Sequence, residues 1–323
     1  MVLHPSLMKA SKALFTTTLI TGTLITLSSP SWFRAWIGLE INLLRFIPLL
    51  IQTSPQSTER AIKYFFIQAI GSIIIMFIII TPILIQSNTI LLCALAIKLG
   101  AAPFHFWLPH AIKGLSWINA ATLLSWQKIA PLSLMTFTKN SPAILILIIA
   151  RALIGAWGGI NELRIKPLLA YSSINHIAWL TTLSMTSITT TAFYLITYTA
   201  LIFTIFRILH KTNHMAQIWA SPRNSLTTIL SLTILSLGGL PPLTGFLPKW
   251  IALNQIITFS KPVAIILVIS STFLLYYYLR ITWISLAQSK TTHIHSPTIT
   301  RKTWIPIIIS TASLPLISAW ILF

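Results

Sequence analysis

Long apolar stretches dominate this sequence and restrict what it can fold into. A helix that crosses a bilayer needs about 20 mostly apolar residues, and eleven such stretches follow one another along the 323 residues. We predict spans at about 10–29, 31–51, 60–84, 88–108, 114–138, 141–161, 165–184, 188–209, 225–257, 261–286 and 303–322. The longest polar connections, around 210–224 and 287–302, leave no room for a water-soluble domain. The sequence therefore predicts an all-α polytopic membrane protein with a single transmembrane domain over residues 1–323.

The first span has a second interpretation. Lys9 and Lys12 precede an apolar stretch at 13–27, and the small residues Ser28 and Ser29 follow it. This order is also typical of a cleaved signal peptide. The ten further spans favour the first interpretation, a helix that stays in the membrane.

The charged residues are few and unbalanced. Lysine and arginine total 22, whereas the acidic residues are Glu40, Glu59 and Glu162, so the formal net charge is +19. A nucleic-acid site needs a water-exposed basic face, but here long apolar runs separate the cations. Membrane proteins keep Lys and Arg on the side from which insertion starts. We therefore place the N-terminus on the cytoplasmic or matrix side, together with Lys9, Lys12, Arg60, Lys63, Lys113, Arg164, Lys166, Arg207, Lys211, Arg223, Lys290, Arg301 and Lys302.

Seven cations and one carboxylate fall inside the predicted spans. An ionised side chain at the bilayer centre costs about 3 kcal/mol or more, so such residues face protein or water. Arg34 and Arg280 lie near span ends, from which they can extend to the interface. The remaining residues are Glu40, Arg45, Lys98, Lys128, Arg151 and Lys249.

Three of these residues have the chemistry of a proton relay. A buried lysine loses its proton more readily than a solvated one, and a nearby carboxylate opposes this. Lys98, Lys128 and Lys249 are therefore the candidate proton carriers, and Glu40 is the candidate carboxylate that controls them. Arginine stays protonated and cannot take this role.

Two spans contain helix breaks. Gly100 and Pro103 interrupt the span at about 88–108, and a Gly-Pro segment interrupts the span at about 225–257. The second segment contains Gly239, Pro241 and Pro242. Irregular backbone persists in a membrane only where protein or water covers it. Because the two similar breaks lie five spans apart, their segments run in opposite directions, and this pattern predicts inverted repeats with an ion site at each break.

Several motifs resemble the subunit 2 family of mitochondrial NADH:ubiquinone oxidoreductase, respiratory complex I. In order along the chain they are GLEIN (38–42), STERAIKYF (57–65), KLGAAPFHFWLP (98–109), SWQKIAP (125–131), GAWGGIN (155–161), AYSSINH (170–176) and LGGLPPLTGFLPKW (237–250). The resemblance covers about residues 15–285. Members of this antiporter-like family that have the short animal form possess eleven helices, which agrees with the span count.

The resemblance implies a proton-translocating subunit of the membrane arm, in the mitochondrial inner membrane, with its N-terminus on the matrix side. It matches Glu40 and Lys98 to an ion pair, Lys128 to the central relay lysine and Lys249 to the terminal lysine. Electron transfer, with NADH, FMN, iron–sulfur clusters and ubiquinone, is expected in other subunits of the enzyme. We expect no cofactor or metal in this chain, because it has one cysteine and no dinucleotide-binding fingerprint. The expected partners are other membrane-arm subunits and phospholipids such as cardiolipin, with no nucleic acid.

The histidines and three arginines leave questions open. His105 and His176 either extend the relay, since histidine titrates near neutral pH, or are hydrogen-bonded structural residues. Arg34, Arg45 and Arg151 depart from the family pattern, which has small or apolar residues there. Arg45 could pair with Glu40 or face a neighbouring subunit or lipid headgroups. Alternatively, some of the three are serine codons read with the wrong genetic code.

Two alternative functions remain at this point. The first is a free-standing cation/proton antiporter of the same superfamily, for which we expect fourteen helices. The second is a scaffold that transports nothing, in which the buried lysines only pack.

Overall fold

The structure is a computed structural model that describes residues 5–51, 55–81, 87–138, 143–211 and 225–287. Every regular element in these ranges is a helix, which confirms the predicted fold class. The predicted span at 303–322 and most of the two long polar connections lie outside these residues. The α-helices are α1 Pro5–Ser28, α2 Trp32–Leu50, α3 Pro55–Ile80, α4 Ser87–Leu99, α5 Trp107–Ile112, α6 Trp117–Leu124, α7 Ile129–Met135, α8 Ala143–Ile160, α9 Ile165–Thr186, α10 Ile188–Lys211, α11 Ser225–Gly238, α12 Phe246–Phe259 and α13 Lys261–Ala287.

Four segments of the described helices are long and apolar enough to cross a membrane. They are Ser57–Ile80, Ala143–Ile160, Ile188–His210 and Lys261–Trp283. The shorter apolar helices include Asn88–Leu99 and Thr228–Gly238, and each of these ends at a predicted break. Interruption by Gly and Pro is therefore what shortens them, as the sequence indicates.

A third interruption lies where the sequence predicts one continuous helix, at 114–138. The segment divides into α6, a 3₁₀ turn at Trp126–Lys128, α7 and a second 3₁₀ turn at Thr136–Thr138. The prediction of an uninterrupted helix around Lys128 is therefore wrong. Pro131 has no N–H to donate to the carbonyl of Gln127, and its ring crowds that carbonyl. This explains why regular α-helix does not continue from α6 into α7.

The first of two compact units comprises residues 1–151 and 164–170. In it α1 packs closely on α2, because Gly38 meets Gly22: a Cβ on Gly38 would lie 2.8 Å from the Gly22 carbonyl oxygen. Tyr64 of α3 lies between two aromatic rings, with centroid distances of 5.5 Å to Phe46 and 5.6 Å to Trp107. These contacts bring α2, α3 and α5 together around the first helix break.

The second unit comprises residues 152–163 and 171–323. Asn175 of α9 donates to the carbonyl of Ala152 on α8, at 3.0 Å. Arg280 of α13 donates to the carbonyls of Ile160 and Glu162, at 2.7 and 2.9 Å. Its guanidinium therefore caps the carboxyl end of α8, where a helix favours positive charge.

Candidate functional site

The first helix break is closed by its own backbone. α4 ends at Leu99, and Gly100 adopts a φ of 63°, a left-handed conformation that costs little only for glycine. The N–H of Ala101 donates to Ala96 and that of Gly100 to Ile97, at 3.0 and 3.1 Å. This is the Schellman arrangement of a helix carboxyl end. The break is therefore a defined helix terminus.

Two further side chains satisfy carbonyls at this terminus. Trp107 donates its indole N–H to the carbonyl of Ile97 at 3.2 Å. Gln68 of α3 donates to the carbonyl of Lys98 at 3.0 Å. Because the last carbonyls of a helix have no partner within it, these bonds stabilise a terminus that lies inside an apolar span.

Lys98 and Lys128 line one cavity in the first unit. The cavity measures ≈ 20 Å³, which is room for about one water molecule. The two lysines are 6% and 2% exposed, and Asn42, Gln68 and Gln127 add polar groups to the lining. Gln127 donates to the side-chain oxygen of Asn42 at 3.2 Å. The structure thus places two buried amines around one polar cavity.

Glu40 lies beside this cavity, half-buried on α2. Its charge attracts that of Lys98, yet the two side chains do not form a direct ion pair. The neighbouring residues Leu39, Asn42 and Leu43 of α2 line the cavity itself. The interaction between Glu40 and Lys98 is therefore electrostatic and without direct contact.

The second break lies in the second unit and has a similar terminus. α11 ends at Gly238, and Gly239 adopts a φ of 83°. The Gly239 N–H donates to Ser236 and Leu235, at 3.0 and 3.2 Å. Lys249, 9% exposed, reaches back from α12 and donates from Nζ to the Gly238 carbonyl at 2.6 Å. Lys249 therefore binds a carbonyl at the second terminus, as Trp107 does at the first.

The two candidate histidines have different surroundings. His105 follows the first break; its Nδ1 lies 3.1 Å from the carbonyl oxygen of Pro103, and its ring centroid lies 4.3 Å from that of Phe106. His176 lies within α9, and its Nδ1 lies 2.9 Å from the hydroxyl of Tyr194. His105 thus bonds to the backbone of its own break, whereas His176 faces a second titratable side chain.

The three unexpected arginines separate into two classes. Arg34 and Arg45 are exposed on α2, and Arg45 forms no ion pair with Glu40. Arg151 of α8 is fully buried, and its three side-chain nitrogens have no hydrogen-bond partner among the described residues. A buried and unpaired guanidinium costs several kcal/mol, so Arg151 is the position that the structure leaves unexplained.

Sequence reasoning missed the neutral polar residues of the first site. Asn42, Gln68 and Gln127 are neutral polar residues within predicted membrane spans, and each contacts the cavity or its helix terminus. The signal that could have found them is their rarity: an amide inside a membrane span needs a partner, as a charge does. Their position among apolar residues predicts that they are buried, but burial alone does not mark them as site residues.

Comparison with known proteins identifies relatives along most of the chain. A family model described as NADH:quinone oxidoreductase/Mrp antiporter, TM, matches residues 29–91 and 83–274. The NADH-ubiquinone oxidoreductase chain 2 of Metachirus nudicaudatus is 42% identical over 291 residues, which cover 83% of each chain. The protein of that name from Didelphis virginiana is 42% identical over 289 residues, again 83% of each.

A solved structure shows the same fold. A chain of respiratory complex I from Thermus thermophilus with bound Aureothin superposes with a TM-score of 0.78. The match covers 95% of this chain and 77% of that one, at 22% sequence identity. The two chains therefore share one fold.

Proposed function

Since the chain belongs to the NADH:quinone oxidoreductase/Mrp antiporter family, among the NADH-ubiquinone oxidoreductase chain 2 proteins, we propose that it translocates protons. In this proposal it is an antiporter-like subunit of the membrane arm of complex I. NADH oxidation and ubiquinone reduction take place in other subunits and drive proton transfer here. The chain thereby contributes to an NADH:ubiquinone reductase without holding a redox group itself.

The cavity shared by Lys98 and Lys128 is the observation that supports this function best. Two ammonium groups that line one buried cavity repel each other, because Coulomb energies are larger where the dielectric constant is lower than that of water. Protonation of one amine therefore disfavours protonation of the other. A water-sized cavity between polar side chains allows a proton to move from one to the other. A pair of this kind holds one proton readily and two only at high cost.

In this proposal Glu40 controls whether Lys98 holds or releases its proton. A carboxylate that approaches Lys98 stabilises its ammonium form, and one that withdraws releases the proton. Because the pair is not in direct contact in this structure, both directions of motion are available. A conformational or electrostatic change arriving from the redox subunits would act by altering this separation.

Lys249 is the corresponding residue of the second unit. Its ammonium group lies at the carboxyl end of α11, where the helix dipole favours positive charge, and it donates to Gly238 there. Rotation of its side chain away from that carbonyl would remove this stabilisation and favour release of the proton. We propose His105 and His176 as further proton-exchanging groups, one in each unit.

The location and partners follow from the proposed function. We infer a position in the mitochondrial inner membrane with the N-terminus on the matrix side, which the distribution of lysine and arginine supports. Other membrane-arm subunits and anionic phospholipids, cardiolipin among them, are the proposed partners. The exposed apolar side chains of α3, such as Phe66, Ile73 and Ile80, provide a surface for lipid or a neighbouring subunit.

The proposal is tested by Lys98→Met in the assembled complex, reconstituted in sealed vesicles with NADH and a quinone. We expect fewer protons moved per NADH oxidised, because methionine keeps the volume and removes the titratable group. Lys63→Met is the matched control: Lys63 lies in the exposed pair with Glu59. Full proton transport by Lys98→Met, with normal assembly, would contradict the relay.

Native gel electrophoresis tests the assembly. We expect the chain to migrate with a large particle that oxidises NADH. Migration on its own, together with cation/proton exchange by the purified chain, would instead identify a free-standing antiporter.

A further inference from the structure

A hydrogen bond between two amide side chains joins α2 to the interrupted segment that carries Lys128. Gln127 donates from Nε2 to Oδ1 of Asn42 at 3.2 Å. Asn42 is 3% exposed, Gln127 is half-buried, and both line the cavity of Lys98 and Lys128. The bond therefore lies at the wall of the candidate site and connects two elements of the first unit.

The segment that contains Gln127 is not regular helix. Between α6 and α7 the chain forms a 3₁₀ turn at Trp126–Lys128. The Lys128 N–H donates to the carbonyl of Ser125 at 3.2 Å, and the Ile129 N–H donates to that of Trp126. Hydrogen bonds between residues three apart have poorer geometry than those of an α-helix. Side-chain contacts therefore matter more for the position of this turn than they would in a continuous helix.

An amide pair is suited to fixing the position of one element on another. A hydrogen bond requires a narrow range of distances and angles. A single buried asparagine specifies the register of two helices in a coiled coil, although it lowers their stability. Hydrogen bonds between membrane helices add little stability on average. The property that Asn42 and Gln127 add is therefore a defined placement of the turn on α2, which two leucines would not provide.

Lys98, the second lysine of the cavity, is also held by an amide. Gln68 of α3 donates to the carbonyl of Lys98 itself, at 3.0 Å. α3 packs on α2 through Tyr64 and Phe46, whose ring centroids are 5.5 Å apart. The backbone of each lysine, or of the residue before it, is therefore anchored by an amide to one of two helices that contact each other.

The position of the turn matters because the cavity is small. Its volume of ≈ 20 Å³ has room for about one water molecule. A side chain exchanges a proton with water only within about 2.6–3.2 Å, and a displacement of about 1 Å lowers the rate of a reaction strongly. Gln127 and Lys128 are consecutive, so their Cα atoms are about 3.8 Å apart. The contact made by Gln127 therefore limits where the amine of Lys128 can lie.

We propose that Asn42 and Gln127 are positioning residues for Lys128. Their hydrogen bond holds the turn at Trp126–Lys128 against α2 and thereby keeps the amine at the cavity. The side chains of asparagine and glutamine are neutral amides, so the pair carries no proton and acts only through Lys128. This inference rests on the proposed function, since it requires Lys128 to exchange protons.

The test shortens one amide and then lengthens the other, in the assembled complex reconstituted in sealed vesicles. Gln127→Asn keeps the amide but removes one methylene, which opens the hydrogen bond. Adding Asn42→Gln to it restores the combined length of the pair. Protons moved per NADH oxidised are compared with those of the unaltered complex and of Lys128→Met. Asn254→Gln is the matched control, because Asn254 is an exposed amide on α12. Assembly is checked by native gel.

We expect Gln127→Asn to assemble normally and to give a proton ratio between those of the unaltered complex and Lys128→Met, because the amine is displaced rather than removed. The double variant Asn42→Gln/Gln127→Asn should recover most of that loss, and Asn254→Gln should show none.

A double variant that transports no better than Gln127→Asn would overturn the positioning role, as would failure of Gln127→Asn to assemble or an equal loss in Asn254→Gln. Full transport by Gln127→Asn, with a loss in Lys128→Met, would overturn the positioning role and leave the relay intact. Full transport by Lys128→Met would overturn both.

Discussion

Lys249 reaches back across a break in its own span and donates a 2.6 Å hydrogen bond to the carbonyl of Gly238. The lysine therefore stabilises the irregular backbone next to which it is buried. If Lys249 carries protons as proposed, structure and function depend on the same atom, because loss of its proton weakens the bond that caps the helix end. The proposed change in protonation of Lys249 would therefore affect the backbone at the second break.

Gly239→Ala should disturb Lys249. The glycine has a φ of 83°, in a left-handed region that costs a residue with a Cβ about 1–2 kcal/mol. The added Cβ would also lie 2.8 Å from Lys249 Cδ. We expect a lower thermal midpoint of the assembled complex and reduced proton transport, measured by thermal denaturation and in sealed vesicles.

Gly238→Ala is the control for that substitution. Gly238 is the last residue of α11 and has a negative φ. A Cβ added there would lie 3.2 Å from the ring of Tyr278. A smaller loss of stability is expected. Equal losses of stability in the two variants would show that the left-handed conformation of residue 239 does not require glycine.

Lys128→Met should separate stability from activity. Lys128 is 2% exposed, and removing a buried charge relieves its desolvation cost. We expect the variant complex to unfold at the same or a higher temperature while moving fewer protons per NADH. A marked fall in thermal midpoint would show instead that the lysine is a structural residue.

Position 151 should not be arginine in the natural protein. A serine there would bury no charge, and its hydroxyl could bond to a preceding carbonyl of α8, as Ser125 does to Ala121 at 2.6 Å. We expect peptide mass spectrometry of the protein from its source to find serine at 151. An arginine mass at that position would contradict the misread-codon explanation.

The fold was largely predictable because apolar length and charge asymmetry are properties of the sequence. The described helices follow the predicted spans as far as α13, and the Gly-Pro segments end α4 and α11 where expected. The resemblance to complex I subunit 2 is confirmed by relatives at 42% identity. The interruption at Lys128 was missed, since one proline in an apolar span does not reveal how many turns it disrupts.

The site was predictable in part. Burial cost selected Lys98, Lys128, Lys249 and Glu40, and the structure places the first two around one cavity. The amides that complete the cavity and Tyr194, which contacts His176, were not predicted, because their partners lie on other helices. For example, Asn42 and Gln127 are 85 residues apart, a separation that no local pattern encodes.

The central claim, that buried lysines of this chain carry protons, is tested most directly at Lys249. The measurement is the number of protons moved per NADH oxidised by complex that contains Lys249→Met, compared with Lys261→Met. Lys261 is an exposed lysine at the start of α13. We predict a lower ratio for Lys249→Met and an unchanged ratio for Lys261→Met, with equal assembly. An unchanged ratio in both variants would contradict the claim.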